Sequence, residues 1–249
     1  MTLSVDFSLL ETILFEPDQG FYLLSHHLDR LKRAIYDFQQ LDPTLFPNPP
    51  SEQQLIDQLK RKVTEQNGCQ RVRLLMDKQA HVSIESVLLP MTAGFSADTL
   101  DCLAQSVPSV AVRLDSQACD LSSNDPFILH KTTQRDMYEQ ARSRMQCNYH
   151  AKLNEPFDVV LYNKQNQITE TSIANIAIGI PKEGKGYDWK TPPISSGLLP
   201  GVFRSYLLEQ DWIREAELTV EDLIQANQVR KSFILIIIHT SVTNLVFTP

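Results

Sequence analysis

Residues 127-FILHKTTQRDMYEQAR-142 join an apolar triplet, a lysine and two threonines to a helical pattern. The triplet Phe127 to Leu129 predicts a short buried strand, and Thr132 and Thr133 predict the cap of the helix that follows. The apolar positions of that helix are Met137, Tyr138, Ala141 and Met145. Lys131 would be held rigidly between strand and helix, where a desolvated amine becomes available for a Schiff base. The alternative for Lys131 is an ordinary surface lysine in a loop.

A second stretch, 157-FDVVLYNKQNQITETSIANIAIGI-180, predicts a β-hairpin. Its strands run from Phe157 to Tyr162 and from Ile168 to Ile180, around the turn-forming residues 163-NKQNQ-167. Alternation along the second strand places Glu170 on the face that carries Ser172, Ala174, Ile176 and Ile178. A carboxylate directed at an apolar interior requires a cationic or protonated partner. The alternative is a bulge in the strand that turns Glu170 outward.

A third stretch, 191-TPPISSGLLPGVFRSYLLEQ-210, predicts a loop followed by a helix that opens at Pro200 and Gly201. The start of a helix behind such a loop suits an anion, because backbone N–H groups and the helix dipole point the same way. A plain junction between loop and helix is the alternative when this stretch is taken by itself.

An amine, a buried carboxylate and an anion-binding helix start are together the groups that pyridoxal phosphate requires. Here they lie within motifs that resemble those of the class IV, fold-type IV pyridoxal-phosphate enzymes. That family includes branched-chain and D-amino acid aminotransferases and 4-amino-4-deoxychorismate lyase. The matching motifs, which follow the family's order through nearly the whole chain, are 10-LET-12, 27-HLDRL-31, 130-HKTT-133, 170-ETS-172, 175-NI-176, 191-TPP-193 and 199-LPGVFR-204.

The resemblance implies an α+β fold of the D-amino acid aminotransferase type, with two domains. The polar residues around 119–125 predict the linker between them. We therefore expect a small N-terminal α/β domain at residues 1–118 and a larger, mainly β, cofactor-binding domain at residues 126–249. The family also implies a homodimer, with the cofactor in the cleft between the domains.

The resemblance further implies a role for each matching residue. Lys131 would hold the cofactor, Glu170 would stabilise the protonated ring nitrogen, and Leu199 would pack on the ring. The implied phosphate ligands are Arg30, the backbone N–H groups of Val202 and Phe203, and Thr240.

Two more positions match residues near the substrate. Thr12 matches a hydroxyl that handles protons at the leaving group in the lyases, and Arg73 matches a basic residue near the substrate. Periodicity alone makes Arg30 a solvent-facing helix arginine, and Arg73 can equally be a solvent-facing arginine of a sheet.

The activity implied by the resemblance is that of 4-amino-4-deoxychorismate lyase, which forms 4-aminobenzoate and pyruvate. The family usually has a strand pair before the 10-LET-12 motif, and lyase domains fused behind a synthase component lack it, as this chain does. The chain has Thr240-Ser241 and Thr243-Asn244 where related lyases often have Asn-Ser and Arg-Gly, which affects recognition of the substrate carboxylate. The alternatives are an aminotransferase for D-amino or branched-chain amino acids, and a cofactor-binding protein without turnover.

Local patterns predict the remaining elements. The expected strands are Phe7 to Leu14, Gly20 to Leu24, 70–77, 81–89, 109–114 and a closing strand from Ser232 through 239–247. The expected helices are 26–41, 51–66, about 201–210 and 219–227.

Composition restricts the class of protein. Among 249 residues, 42% are hydrophobic and 21% charged, and the net charge of −7 argues against nucleic-acid or anionic-membrane partners. Four cysteines without C-x-x-C spacing indicate reduced thiols, and His26 and His27 lack further metal ligands nearby. The N-terminus has no basic segment typical of a signal peptide, and the longest apolar run, 233–238, is too short to span a bilayer. We therefore expect a cytoplasmic enzyme without a metal.

Overall fold

The computed structural model of the chain describes residues 5–63, 68–89, 100–101, 109–120, 124–152, 155–183, 186–228, 233–238 and 241–247. The chain divides into two units, Met1–Ser96 with His130–Gln134, and Ala97–Leu129 with Arg135–Pro249. These units differ in extent from the expected domains 1–118 and 126–249. The strand at 109–114 belongs to the second unit, and Lys131 belongs to the first.

Within the described residues, the first unit contains a four-stranded antiparallel sheet and two helices. Its elements are β1 (Leu9–Glu16), β2 (Gly20–Phe21), α1 (Leu24–Leu41), α2 (Glu52–Lys62), β3 (Gln70–Met76) and β4 (Val82–Leu88). The strand order is β2-β1-β3-β4. Ser51 caps α2 in a capping box with Gln54, as predicted for the start of that helix, but α2 ends at Lys62 and not at residue 66.

One face of this sheet packs on α1. Leu9 and Ile13 of β1 and Val72 and Leu74 of β3 are buried, whereas Arg71 and Arg73 alternate with them and are exposed. The core stripe of α1 is largely confirmed, with Leu28, Leu31 and Phe38 buried. Arg30 is buried as well, so the solvent-facing position that periodicity predicts for it is wrong. The reason is a carboxylate on β1 that pairs with it.

The second unit contains an eight-stranded mixed sheet. Its elements are β5 (Ser109–Leu114), α3 (Pro126–Leu129), α4 (Asp136–Arg144), β6 (Pro156–Tyr162), β7 (Ile168–Thr171), β8 (Asn175–Pro181), β9 (Tyr187–Thr191), α5 (Val202–Glu209), β10 (Arg214–Glu215), α6 (Val220–Gln228), β11 (Phe233–Ile238) and β12 (Ser241–Phe247). The strand order is β10-β9-β8-β11-β12-β5-β6-β7. The helices expected near 201–210 and 219–227 are confirmed as α5 and α6.

The strand predicted at Phe127 to Leu129 is wrong, because these residues form the short helix α3. Asp125 explains the difference. Its side chain accepts from the backbone N–H of Phe127 at 2.9 Å, and its carbonyl accepts from those of Ile128 and Leu129. Aspartate before a helix and Pro126 at its first position are strong helix-start signals that outweigh the apolar triplet.

Thr132 and Thr133 do not cap α4, which begins at Asp136 after Arg135 and lacks a side-chain cap. The Thr132 hydroxyl accepts from the N–H of Gln134 at 3.2 Å, and the Thr133 hydroxyl accepts from the N–H of Ser8 at 2.9 Å. The apolar stripe of α4 is nevertheless confirmed. Its members Tyr138 and Ala141 are buried, and Met137 and Met145 pack against the same cluster.

The predicted hairpin is correct for β6 and β7, but its second strand does not continue to Ile180. The chain turns at 172–174, where the Thr171 hydroxyl bonds with the N–H and the carbonyl of Ala174. After this turn β8 pairs with β9 and β11 instead of β6. The closing strand expected from Ser232 through 247 is likewise two antiparallel strands, β11 and β12.

In the described ranges, no helix is long and apolar enough to cross a membrane. No group of three or more His, Cys, Asp or Glu side chains is arranged to hold a metal ion within those same ranges. Cys69, Cys119 and Cys147 are free thiols.

Candidate functional site

Lys131 lies in a five-residue segment, His130–Gln134, that pairs with the start of β1. The N–H of Leu10 donates to the carbonyl of Lys131 at 2.9 Å, and Leu9 and Thr132 form an antiparallel bridge. Thr133 and Ser8 exchange two further hydrogen bonds of 2.9 Å. Lys131 itself is half-buried. Its backbone is therefore held rigidly as predicted, by strand-like pairing within the first unit and not by a preceding strand.

His130 anchors the same segment to α1. Its Nε2 lies 3.0 Å from Oδ2 of Asp37, and its ring packs at 5.6 Å from that of Phe38. Burial lowers the pKa of His130, although Asp37 opposes this shift. Backbone pairing on one side and a buried imidazole on the other fix the position of Lys131.

Glu11 and Arg30 form a buried ion pair in the first unit. Arg30 donates to Glu11 through Nε at 2.8 Å and through Nη2 at 2.5 Å. His27 adds a third contact, from Nδ1 to Oε2 of Glu11 at 2.6 Å. The motifs 10-LET-12 and 27-HLDRL-31 thus meet in space, and sequence reasoning did not assign a role to Glu11 or His27.

Thr12 and Arg73 lie directly opposite each other on β1 and β3, so their side chains share one face of the sheet. Glu85 is the next residue across on β4, with its carboxylate 4.0 Å from Nη1 of Arg73. Arg73 is exposed and Thr12 is half-buried. This face is opposite to the one that carries Glu11, so Thr12 and Arg73 form a second group within the unit.

Glu170 lies at the centre of a hydrogen-bond network in the second unit. It is buried, and its Oε1 accepts from the hydroxyl of Tyr138 at 2.7 Å and the N–H of Leu199 at 3.3 Å. Its Oε2 accepts from Nδ2 of Asn175 at 3.2 Å. The expected inward direction of Glu170 is confirmed, and these hydrogen-bond donors are protonated partners of the kind that a buried carboxylate requires.

Tyr138 donates a hydrogen bond to Glu170, a role that its position in the apolar stripe of α4 does not indicate. Burial, followed by the nearby charge of Glu170, raises the pKa of Tyr138 well above its usual value. The phenol therefore stays protonated and donates to the carboxylate throughout the working pH range of most enzymes.

Asn175 links Glu170 to the loop before α5. Its Nδ2 also donates to the carbonyl of Leu199 at 2.8 Å, so one amide holds the carboxylate and the loop together. Gly201, the residue before α5, permits this packing, because a Cβ there would lie 2.0 Å from Oδ1 of Asn175. A close approach of backbone to side chain thus requires glycine at the start of this helix.

A buried arginine fixes the start of α5 from the other side. Arg204 donates to Oγ1 of Thr191 at 3.3 Å, to the carbonyl of Pro192 at 2.8 Å and to Glu215 at 2.6 Å. Val202 and Phe203 are buried in the first turn, where backbone N–H groups lie outside the helical hydrogen-bond ladder. The predicted loop and helix start are confirmed, and their geometry suits an anion.

A second buried ion pair supports the turn that follows Glu170. Arg142 of α4 donates to Asp158 and to the hydroxyl of Ser172, at 2.8 Å and 2.9 Å. Burial raises the pKa of Asp158, and its hydrogen bonds and Arg142 oppose that shift. Arg142 therefore fixes the turn that follows Glu170 by binding both Asp158 and Ser172.

The residues predicted from sequence fall into two sets. The first unit holds Lys131, Arg30, Thr12 and Arg73, and the second holds Glu170, Leu199, Val202 and Phe203. Thr240 lies outside the described residues. The donor types fit pyridoxal phosphate, because an anchored lysine, a planar arginine donor, a buried carboxylate and a glycine-opened helix are all present.

Comparison with known proteins identifies relatives of this chain. The family model of amino-transferase class IV matches residues 8–231. A Schizosaccharomyces pombe protein provisionally named aminodeoxychorismate lyase is 30% identical over 208 residues, which cover 84% of this chain and 76% of that protein. The aminodeoxychorismate lyase of Saccharomyces cerevisiae is 29% identical over 189 residues, which cover 68% of this chain and half of that protein.

Aminotransferases are also similar to this chain. The cytosolic branched-chain-amino-acid aminotransferase of Mus musculus is 37% identical over 82 residues, which cover 29% of this chain and 21% of that protein. The branched-chain aminotransferase of Escherichia coli has a TM-score of 0.70 at 15% identity, covering 98% of this chain and 78% of that one. The pyridoxal-phosphate-bound structure of a Mycobacterium tuberculosis protein described as a hypothetical aminotransferase has a TM-score of 0.66 at 15% identity, covering 96% of this chain and 81% of that one. These structures show the fold.

Proposed function

Because this chain belongs to the amino-transferase class IV family, we propose that it is a pyridoxal-phosphate-dependent 4-amino-4-deoxychorismate lyase. The observation that carries the proposal is the similarity to two lyases of this name, over 84% and 68% of the chain. The similarity to a branched-chain aminotransferase covers only 29% of the chain. The products are 4-aminobenzoate, a folate precursor, and pyruvate.

Each part of the proposed cofactor site has a residue suited to it. Lys131 holds the cofactor covalently, and the anchored backbone of its segment keeps the amine in place. Glu170 keeps a proton on the ring nitrogen, since its carboxylate is already oriented by Tyr138 and Asn175. Arg30, Thr240 and the backbone N–H groups of α5 at Val202 and Phe203 bind the phosphate. Leu199 packs on the ring.

The proton transfers are assigned to the chain's own groups. When bound, the cofactor supplies an electron-withdrawing ring that stabilises negative charge on the substrate carbon next to its nitrogen. The amine of Lys131 would take the proton from the ring carbon that bears the substrate nitrogen and, as the ring C–O bond to the enolpyruvyl group breaks, would give a proton to the methylene carbon of that group, which leaves as pyruvate. Thr12 assists at the leaving group, and Arg73, on the same sheet face, receives a substrate carboxylate.

We propose further that the active enzyme is a cytoplasmic homodimer. Two-fold dimers are the commonest soluble assemblies, and free thiols at Cys69, Cys119 and Cys147 suit a reducing compartment. Light scattering at assay concentration measures the assembly directly. A fully active monomer would contradict the dimer.

The test is incubation with 4-amino-4-deoxychorismate in the absence of any keto acid. We expect 4-aminobenzoate and pyruvate in equal amounts. Lys131→Ala should abolish both, whereas Lys152→Ala, at an exposed position, serves as the matched control. The bound cofactor should give the protein an absorption band in the near-visible region. Borohydride treatment should attach this chromophore to the peptide that contains Lys131, and labelling of another peptide would contradict the role of Lys131.

The aminotransferase remains the alternative, supported by the similarity to the mouse enzyme. An aminotransferase alternates between aldehyde and amine forms of the cofactor and therefore needs a keto acid in every cycle. Rapid loss of the chromophore with leucine or D-alanine, and its return with 2-oxoglutarate, would replace the lyase assignment. A stable chromophore without product from any of these substrates would indicate a cofactor-binding protein without turnover.

A further inference from the structure

Glu11 is a buried carboxylate in the middle of β1, and hydrogen-bond donors occupy both of its oxygens. Only 2% of the residue is exposed. Oε1 accepts from Nε of Arg30, and Oε2 accepts from Nη2 of Arg30 and from Nδ1 of His27. An isolated carboxylate would be costly at this depth, so the three donors account for its presence in the core.

The way in which Glu11 pairs with Arg30 fixes the direction of the guanidinium. The carboxylate engages the edge formed by Nε and Nη2, at 2.8 Å and 2.5 Å. Because the guanidinium is planar, the edge formed by Nη1 and Nη2 then faces away from Glu11. That second edge has the spacing that suits two oxygens of a phosphate.

Glu11 remains charged and His27 remains neutral near pH 7. Burial raises the pKa of Glu11, but the charge of Arg30 and the hydrogen bond from His27 outweigh it and hold the pKa at about 2. Burial lowers the pKa of His27. Neutral His27 then carries its proton on Nδ1, the nitrogen that faces Glu11. The carboxylate therefore holds Arg30 over the whole range in which the enzyme would work.

The strand that carries Glu11 also holds Lys131. The N–H of Leu10 donates to the carbonyl of Lys131 at 2.9 Å, and Glu11 is the next residue along β1. Two neighbouring residues of one strand thus fix the backbone of Lys131 and the side chain of Arg30. The strand β1 therefore sets the separation between Lys131 and Arg30.

We infer that Glu11 is a positioning residue for the cofactor phosphate, which it serves by holding the guanidinium of Arg30 in the orientation that receives the phosphate. The inference rests on the proposed function, in which Lys131 and Arg30 bind the two ends of the same cofactor. His27 supports Glu11 by donating a hydrogen bond from Nδ1 to Oε2. A role confined to joining α1 to β1 is the competing explanation.

The test compares binding of pyridoxal phosphate with binding of pyridoxal, which lacks the phosphate, in the apo-protein. Glu11→Gln should weaken binding of pyridoxal phosphate roughly tenfold or more, the scale of one hydrogen bond to a charged group. Binding of pyridoxal should change less than about twofold, since it depends on Lys131. Glu16→Gln is the matched control, because Glu16 is a buried glutamate at the end of the same strand.

A second pair of variants covers the case in which Glu11→Gln does not fold. His27→Leu removes one of the two donors to Oε2 of Glu11, and should lower the preference for pyridoxal phosphate over pyridoxal. His27→Asn retains an N–H close to the position of Nδ1 and should restore most of that preference.

The outcomes separate this inference from the proposed function. Equal weakening of pyridoxal and pyridoxal phosphate in Glu11→Gln, or in His27→Leu, would mean that Glu11 only supports the fold, and would overturn the inference alone. A wild-type protein that binds neither compound would overturn the proposed function and the inference with it.

Discussion

The hydroxyl of Tyr138 donates a 2.7 Å hydrogen bond to Oε1 of Glu170, and both groups are buried. The two residues come from different elements, the helix α4 and the strand β7. This contact makes the phenol part of the environment of the carboxylate that we assign to the cofactor ring.

Tyr138→Phe should therefore reduce turnover by roughly tenfold, because a buried carboxylate loses one donor. The near-visible absorption band should shift as well, since Glu170 loses a hydrogen-bond donor and so becomes a stronger acceptor for the proton of the ring nitrogen. Tyr149→Phe is the control, because that hydroxyl binds Glu139 at an exposed site. A change of equal size in both variants would contradict a specific role for Tyr138.

Glu170→Gln keeps the shape of the side chain and removes its charge. We expect the cofactor to remain bound while turnover falls by about 10²-fold or more, the usual effect of a lost acid–base or electrostatic partner. The ratio of cofactor to protein and kcat are the two measurements, with Glu139→Gln as an exposed control. Near-normal turnover in Glu170→Gln would refute the assignment.

The Glu11 ion pair predicts a pH dependence of stability. The pKa of Glu11 in the folded protein is about 2, below its usual value of 4.5. Its stabilisation is therefore fully present above about pH 4.5 and is lost as pH falls toward 2. At pH 7 the free energy of unfolding of the apo wild type should be about 3 kcal/mol higher than that of the apo Glu11→Gln variant.

Urea denaturation of the two apo-proteins at pH 7, 4.5 and 3 measures this difference. The difference should shrink at pH 3, because Glu11 is protonated in the unfolded chain there and must lose that proton on folding, whereas the folded-state carboxylate stays charged until the pH approaches 2. A difference that stays constant from pH 7 to pH 3 would show that the Glu11 carboxylate is not the titrating group.

Gly201→Ala places a Cβ within 2.0 Å of Oδ1 of Asn175. We expect the free energy of unfolding to fall by about 1–3 kcal/mol, as for other overpacked sites. Adding Asn175→Ala should relieve the clash, so the double variant should lose less than the sum of the two single variants. Strict additivity in thermal unfolding would contradict direct contact between the two residues.

Short motifs in the sequence predict part of the candidate site. Lys131, Glu170 and the helix start after Pro200 are candidates because each combines a group of suitable chemistry with a local pattern of strand, turn or helix. Glu11 and Tyr138 were not identified as partners, because they bind residues 19 and 32 positions away. Periodicity reports which face of an element is apolar, but it does not report which charged group lies across from it.

The secondary-structure predictions that are wrong have local physical causes. The cap formed by Asp125 and Pro126 outweighs the apolar triplet before Lys131 and makes a helix there. The hydrogen bonds of the Thr171 hydroxyl with Ala174 break a run of strand-forming residues, which alternation alone would continue. Both effects come from side chains that bond to the backbone and compete with the regular pattern.

The segment His130–Gln134 has a consequence for how the protein is made. Ser8 and Thr133, which hold it to β1, are separated by 125 residues in the chain. Contacts so distant in sequence form late, since the intervening loop must be closed first. A nascent chain that ends near residue 96 lacks this segment of its own first unit. Lys131 therefore reaches its place beside β1 only after synthesis has run on from Ser8 by 125 residues to Thr133.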